Sequence, residues 1–435
     1  MNIDLSKIKH VHFVGIGGIG VSAIARMMLG EGKVVSGQDT GEGEIIDRLK
    51  KLGIDVIHGQ SFEDIPVDAD LIVYTIAIEY YDPEFFKKLK EGSVLALSYP
   101  QILGAISAGK YTISISGTHG KTTTTGMISQ ILRDLGKDPT VVIGSLLADG
   151  TNFVHGGSDL FVVESCEYRR SFLNINPNIL VITNVDADHL DYYKDIEDIK
   201  NAFHELAMKV PADGFIVCDP DDNNVADVIA GVKAKIINYQ EFFDPTLKLK
   251  VPGVHNKKDA ACALAVADIL GIKNMDAIGA VCDFPGTWRR FQYKGELYSG
   301  AKVYDDYAHH PAEIKATLQG FREFYPREKG YKITVVFQPH LFSRTKSLIR
   351  EFPAGFAEAD LVLLLPIYPA REVDDGTMSS EILAGEINKY ENNTLAFADF
   401  ATAEAHLADM DFTDHDIIVS MGAGEAFKVV DKLLA

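Results

Sequence analysis

The chain has no close pair of cysteines. Cys166, Cys218, Cys262 and Cys282 stand far apart, which excludes the short spacings of a zinc or iron–sulfur ligand set and leads us to expect reduced, buried thiols. No run approaches the ~18 apolar residues a membrane span needs. The opening MNIDLSKIKH has no apolar signal core, so a cytoplasmic protein without membrane insertion is expected. Basic charge is in deficit, with 42 Lys and Arg against 62 Asp and Glu and a net charge of −20. A nucleic-acid footprint is therefore missing, and any anionic ligand must be held by local clusters. Internal repeats and low-complexity tracts are also absent. What remains is an ordinary globular composition, 46% hydrophobic and 24% charged, and a length that allows about two to four domains.

The most informative stretch is YTISISGTHGKTTTT, residues 111–125. A run alternating in β-branched residues ends at Gly117, and Gly120-Lys121-Thr122 opens a helically spaced segment through Met127, Ile128, Ile131 and Leu132. Strand, glycine loop, Gly-Lys-Thr and helix are the parts of a phosphate-binding loop. Backbone N–H groups face the anion, Lys121 neutralises phosphate charge, and the Thr122 hydroxyl suits Mg²⁺. Gly117, Thr118, Gly120 and Thr123 complete the candidate cradle. Ile115 stands where the usual pattern has its first Gly, so the loop is not an ordinary Walker A. The plainer reading of GTHGKTTTT is a polar helix start capped by threonines.

Ahead of it, His10 to Val14 reads as a strand running into Gly15-Ile-Gly17-Gly18-Ile-Gly20 and a helix from Val21 to about Leu29. This is a dinucleotide fingerprint in its proper setting, with Asp39 at the end of the next strand as a ribose-reading acid. NAD(P), the pyrophosphate of another nucleotide, or a simple glycine turn all fit it. Leu71 to Thr75 reads as a strand and Pro83 to Lys90 as a helix, and Ser98-Tyr99-Pro100 as a passage out of this domain.

Downstream of the phosphate loop, the strand Leu160 to Val163 ends in Glu164-Ser-Cys-Glu167, where a Mg²⁺-holding carboxylate belongs. Ile179 to Thr183 then runs into Asn184-Val-Asp-Ala-Asp188-His189-Leu-Asp191, a polar cluster that is either a site or a capped turn. Cys166 has no accompanying Cys/His pattern and is expected to be buried. His255 and Asn256, at the start of an alanine-rich helix, read first as caps, although the amide also suits an adenine edge.

Pro285-Gly286 marks a boundary. Beyond it, Arg289 and Arg290 bring guanidiniums suited to forked phosphate or carboxylate binding. The strand Lys302 to Tyr304 leads into Asp305-Asp306-Tyr307-Ala-His309-His310. Neighbouring residues on an extended segment point opposite ways, which argues against one compact metal cage. Thr334 to Phe337 ends in Gln338-Pro-His340-Leu-Phe-Ser343-Arg344-Thr345, and Leu361 to Leu365 and Ile417 to Val419 complete a βα pattern.

In this order, GIGGIG, GTHGKTTTT, VESCEYRRSF, TNVDADHLD, GVHN, WRRFQ, DDYAHHP and QPHLFSRT resemble the Mur ligase family over essentially the whole chain. The resemblance implies an α/β protein of three domains: a Rossmann-like UDP-sugar domain at 1–108, a central P-loop ATPase domain at 109–286, and a Rossmann-like amino-acid domain at 287–435. DDYAHHP and QPHLFSRT favour the member that adds L-alanine. The implied activity is ATP-dependent formation of an amide between the lactyl carboxylate of UDP-N-acetylmuramate and L-alanine through an acyl phosphate, in cytoplasmic peptidoglycan precursor synthesis. The implied cation is Mg²⁺, with Mn²⁺ as a substitute, and the implied state a monomer or homodimer. A tripeptide-recycling ligase on the same sugar nucleotide is the alternative, and an NAD-dependent oxidoreductase a more remote one.

By the same resemblance, Gly15, Gly17, Gly18 and Gly20 hold the UDP pyrophosphate, with Asp39 toward the nucleoside. Lys121 and Thr122 match phosphate and Mg²⁺ positions, Glu164 the shared Mg²⁺ carboxylate, and His189 a second-metal ligand. Asn256 matches an adenine-reading amide, Arg290 a phosphate-binding Arg, and Asp305 a ribose acid. Tyr307, His309 and Arg344 match the surroundings of the amino acid and the transferred phosphoryl group. Two positions depart from the family pattern. Asp259 replaces the second Asn of HNxxN and cannot donate to adenine N7, and Leu341 replaces an Arg, leaving carboxylate recognition to Arg344 or another group.

Overall fold

The computed structural model describes residues 3–147, 150–190, 192–370 and 372–434. Asp191 of the expected polar cluster lies outside them. Three sheets follow one another along the chain. The first contains β1 (His10–Val14), β2 (Val34–Asp39), β3 (Asp55–His58), β4 (Leu71–Tyr74) and β5 (Leu95–Ser98), in the order β3-β2-β1-β4-β5. All four pairings are parallel. β1 and β4 are buried throughout, as a parallel sheet covered on both faces requires. Strand order reverses between β1 and β4, so the glycine loop leaves β1 at the crevice where open α/β sheets take their ligands. Ser98-Tyr99-Pro100, read as a passage out of this domain, opens a helix. Ser98 and Gln101 form a capping box and Pro100 sits in the first turn of a helix, Tyr99–Ser107.

The second sheet runs β12-β11-β10-β6-β9-β7-β8. Its strands are β6 (Tyr111–Ser116), β7 (Thr140–Val142), β8 (Phe153–Val154), β9 (Leu160–Glu164), β10 (Ile179–Ile182), β11 (Phe215–Cys218) and β12 (Lys235–Asn238). Only the β7–β8 pair is antiparallel. β6 lies between β10 and β9, with Ile182 beside Ser116 and Glu164 beside Ile115. This register sets the residues following β10 and β9 on either side of the phosphate loop. The third sheet runs β13-β14-β18-β15-β16-β17, built from β13 (Gln292–Glu296), β14 (Lys302–Asp306), β15 (Lys332–Phe337), β16 (Leu361–Leu364), β17 (Thr394–Ala396) and β18 (Asp416–Met421). β13 is an antiparallel edge on β14, and the remaining pairings are parallel.

By compactness alone the chain divides into two units, Met1–Asp244 with Lys258–Phe284, and Pro245–Lys257 with Pro285–Ala435. The first two sheets count as one because they share a core. Val142, Phe153, Phe161, Val163 and Ile175 join Val11, Phe13, Ile24, Met28 and Ile102 in a single buried cluster. The Asn152 amide also donates to Ile19 O at 2.5 Å and Ser22 Oγ at 2.8 Å.

Candidate active site

In the first unit, only Gly117-Thr118-His119-Gly120 separates β6 from the helix Lys121–Asp134. The loop is this short because Ile115 is a fully buried strand residue and not part of it. Gly117 and Gly120 have φ of 132° and 83°, a region closed to residues with side chains except at a cost in strain. A side chain on Gly120 would also strike the Asp259 carboxylate. The loop is fastened from the β10 side. His119 N donates to Asn184 Oδ1 (2.9 Å), and the Asn184 amide donates back to His119 O (3.1 Å). Thr118 N donates to Asn184 O (3.1 Å) and Asp186 N to Thr118 Oγ1 (2.8 Å). The polar cluster after β10 is thus part of the frame of the loop and not a detached capped turn.

Two carboxylates at and just after the end of β9 meet the start of that helix, and they divide the work. Thr122 Oγ1 donates to Glu164 Oε1 at 2.9 Å, while Gly144 N holds Oε2 at 2.8 Å. Lys121 Nζ lies 3.0 and 2.9 Å from the two oxygens of Glu167 and also donates to Gly117 O (2.6 Å) and Thr118 O (3.0 Å). Burial pulls the lysine pKa down, but Glu167, aided by Cys166 and Glu164, outweighs it, and the ammonium ends above its ordinary value. Glu167 is buried and was not among the expected site residues. ESCE carries two acids, and only the register of β9 decides which faces Thr122 and which Lys121. His189, at φ 53°, places Nε2 3.7 Å from Glu167 Oε1 and 3.9 Å from Asp188 Oδ2, and its ring packs 4.9 Å from that of Tyr168. Thr123 is buried in the first helical turn.

Among the described residues, no group of three or more His, Cys, Asp and Glu converges tightly enough to hold an ion by itself. A hydroxyl and a carboxylate at 2.9 Å nevertheless form the hard-oxygen pair that suits Mg²⁺ when phosphates and water complete the shell. Cys166, expected to be buried, is exposed, because the chain turns outward as soon as β9 ends. Cys218 and Cys262 are buried as expected.

At the glycine loop of the first sheet, Gly17 N donates to Asp39 Oδ2 (2.7 Å) and Gly41 N to Oδ1 (2.8 Å). Asp39 therefore braces the loop that was expected to share a ligand with it. Gly18 is the N-cap of the helix Ile19–Gly30. A side chain on Gly15 would meet Thr75, and one on Gly20 would meet the ring of Tyr99.

In the second unit the two arginines separate sharply. Arg289, read with Arg290 as a guanidinium for a forked oxyanion, is instead buried and committed internally: it donates from Nε to Asp305 Oδ2 (2.8 Å) and from its two terminal nitrogens to Gly424 O (2.8 Å) and Gly422 O (2.6 Å). Ser420 Oγ donates to the other oxygen of Asp305 at 2.6 Å. Asp305 is only 1% exposed, so the ribose role expected of it requires these contacts to be exchanged. Burial pushes its pKa up against the pull of Arg289. Arg290 is half-buried, its guanidinium 5.3 Å from the Tyr307 ring centroid, and among the described residues no carboxylate lies within ion-pair distance of it. His309 Nδ1 stands 3.3 Å from Glu313 Oε2 and 3.1 Å from Tyr307 O. Its ring is 5.6 Å from that of Tyr307 and 5.7 Å from that of His340, which stacks on Tyr368. Arg344 is half-buried on the short helix Phe342–Ser347. Leu341 caps that helix at φ 67° and is 6% exposed, so the apolar replacement is a core residue. The Asn256 amide donates to Pro252 O at 2.6 Å, which makes it a brace of the preceding turn.

Comparison with known proteins gives the family. Residues 10–111 match the Mur ligase family catalytic domain, 115–243 the Mur ligase middle domain, and 289–424 the Mur ligase glutamate ligase domain. The chain is 41% identical to a UDP-N-acetylmuramate–L-alanine ligase of Clostridium kluyveri, covering 99% of this chain and 98% of that one. It is 39% identical to the protein of that name from Caldanaerobacter subterraneus subsp. tengcongensis, over 100% and 99%. Among solved structures, the UDP-N-acetylmuramate–alanine ligase of Thermotoga maritima superposes with a TM-score of 0.80 at 26% identity over 98% of both chains. A murein peptide ligase from Psychrobacter arcticus, at 21% identity and a TM-score of 0.68 over 98% of both, shares the fold. With three matched segments in sequence order, two loops at the C-terminal ends of parallel strands, and relatives aligned from end to end, the chain belongs to the Mur ligase family.

Proposed function

We infer that the chain joins the lactyl carboxylate of UDP-N-acetylmuramate to the amine of L-alanine, converting ATP to ADP and orthophosphate, in cytoplasmic peptidoglycan precursor synthesis. The observation that carries this reading is the pairing of Lys121 with Glu167 and of Thr122 with Glu164 at the mouth of one glycine loop. The three segments 1–108, 109–286 and 287–435 are assigned the sugar nucleotide, ATP and the amino acid respectively.

A carboxylate is a poor acyl donor, so its oxygen first attacks the γ-phosphorus of ATP and ADP departs, leaving an acyl phosphate. Lys121 and the loop N–H groups screen the charge of the transferred group, and Arg290 adds a second cation. Thr122 and Glu164 would hold Mg²⁺, with His189 beside Glu167 as a second candidate ligand set; a cation bound there would neutralise phosphoryl charge. The neutral amine then attacks the acyl carbon, and orthophosphate leaves from the tetrahedral intermediate. Tyr307, His309 and Arg344 surround the incoming amino acid. His309, set by Glu313, takes the amine proton. Gly15, Gly17, Gly18 and Gly20 receive the UDP pyrophosphate, and the family resemblance assigns Asn256, Asp259 and Asp305 to the adenosine end of ATP.

The test is orthophosphate release by the purified chain with ATP, Mg²⁺, UDP-N-acetylmuramate and, in turn, L-alanine, glycine, L-serine and a murein tripeptide. Release that requires all components, with L-alanine best, is expected. Turnover with the tripeptide but not L-alanine would make this a recycling enzyme, and no release with any acceptor would end the ligase reading.

A further inference from the structure

The segment after Glu167 carries two arginines in succession, Arg169 and Arg170, with φ of 55° and 56°. Two consecutive side-chain-bearing residues in the left-handed region are costly, and such strain persists only where surrounding contacts over-determine it. Those contacts are present. Arg170 N donates to Glu167 O and Phe172 N to Cys166 O, and Tyr193 Oη donates to Glu167 O at 2.5 Å. Phe172 is buried edge-on against Phe203.

The neighbours then part company. Arg170 is held by Asp198 at 2.6 Å and Glu205 at 3.4 Å, an ordinary structural ion pairing. Arg169 has no carboxylate within ion-pair distance among the described residues, and its Nε is buried without a hydrogen-bond partner. Its guanidinium carbon lies instead 3.9 Å from the Tyr80 ring centroid, 5.6 Å from that of Tyr192 and 5.9 Å from that of Tyr168. Stacking fixes the plane of a guanidinium while its N–H edge stays available to a forked oxyanion. Placement narrows which anion. Arg169 is two residues beyond Glu167, the partner of Lys121. Tyr80 belongs to the short helix Ile78–Tyr81 that follows β4, beside the crevice where the first glycine loop leaves β1. Arg169 therefore stands between the loop assigned to the triphosphate and the loop assigned to the sugar nucleotide.

We propose that Arg169 is a specificity residue that receives the carboxylate of the acyl donor and orients it toward the γ-phosphate. The proposal rests on the ligase reading above, and it gives the strained pair a reason. Arg170 anchors the turn so that Arg169 can present an uncommitted fork. Chemically, the sugar-nucleotide diphosphate could also supply the oxyanion, and the experiment separates the two.

Calorimetric binding of UDP-N-acetylmuramate and of UDP-N-acetylglucosamine, which lacks the lactyl group, is measured for the full-length wild type, R169A and R169K, together with phosphate-release kinetics. Wild type is expected to prefer the muramate nucleotide, and R169A to lose that preference with at least about a 30-fold fall in kcat/KM for it. Affinities for UDP-N-acetylglucosamine and ATP should stay within about threefold. R169K, which keeps the charge without the fork, should recover part of the loss and covers the case in which R169A does not fold. Equal loss of both sugar nucleotides would move the contact to the diphosphate and overturn the proposal, as would wild-type kcat/KM in either variant. A wild type that binds the muramate nucleotide but releases no phosphate would count against the ligase reading alone, because the binding difference still decides the role of Arg169.

Discussion

The two glycine loops of the first unit have the same construction. Each leaves the C-terminal end of an internal parallel strand, β1 or β6, and each opens a helix, Ile19–Gly30 or Lys121–Asp134. What they gather around them differs. The β1 loop is braced by one carboxylate, Asp39, through backbone N–H groups, and carries no cation of its own. The β6 loop brings a lysine and a threonine against Glu167 and Glu164. Backbone N–H groups suffice to hold a diphosphate that does not react. A phosphoryl group in transfer needs positioned charge aimed at it. On the proposed reading, the same local fold serves a holding site and a reacting site, and the side chains after the last glycine make the difference.

The comparison can be broken most decisively at Lys121. Lys121→Ala is expected to lower phosphate release by about 1,000-fold while calorimetric affinity for UDP-N-acetylmuramate stays unchanged. Equal loss of both would show that the two loops are not separate sites. A second, smaller difference lies beneath the loops. β1 carries a fully buried histidine, His12, and β6 carries none. Gln38 Oε1 is committed to Ser61 N at 2.7 Å, so its amide nitrogen faces His12 Nε2 at 3.2 Å, while His12 Nδ1 pairs with Ser36 Oγ at 2.9 Å. That geometry accepts only the neutral ring. Burial, with His10 adding to it, pushes the pKa down from 6.5 to about 4. A base depressed on folding gives stability that is complete above the unfolded value and is lost as pH falls from about 6.5 toward about 4. Denaturant titrations of wild type and His12→Gln across that window should converge by up to about 3 kcal/mol at the acid end. A constant difference would place the pH dependence elsewhere. The smallest effect is expected at Asp39. Asp39→Ala should raise the KM for UDP-N-acetylmuramate about tenfold and leave that for ATP alone, and a matching change in the ATP constant would contradict the division of labour.

Much of this was legible from residue order. The strand–loop–helix units at Gly15 and Gly117, the Glu164 and Asn184 positions at the ends of their strands, and the α/β alternation all follow from local periodicity and glycine placement. The misses share one cause. Glu167, Arg169, Arg289 and Cys166 are each adjacent to a residue that looked equally suitable, or were given an environment by default. One step along a chain turns a side chain to another face, so adjacency does not tell which neighbour points inward. Likewise, three segments were visible, but their merging into two compact units depends on Phe153, Phe161 and Val163 meeting Ile24 and Met28, apolar residues that have no partner until the sheets pack.

The sequence by itself determined the chemistry available to this protein, because glycine, lysine and hydroxyl spacing in a loop depends only on covalent geometry and backbone freedom. It likewise determined the family. Only the tertiary structure decided which carboxylate meets Lys121 and which Thr122, that Arg289 and Asp305 are buried together, and that Arg169 stands uncommitted beside Tyr80. Those choices are made by register and packing between segments far apart in the chain, and no local pattern encodes them.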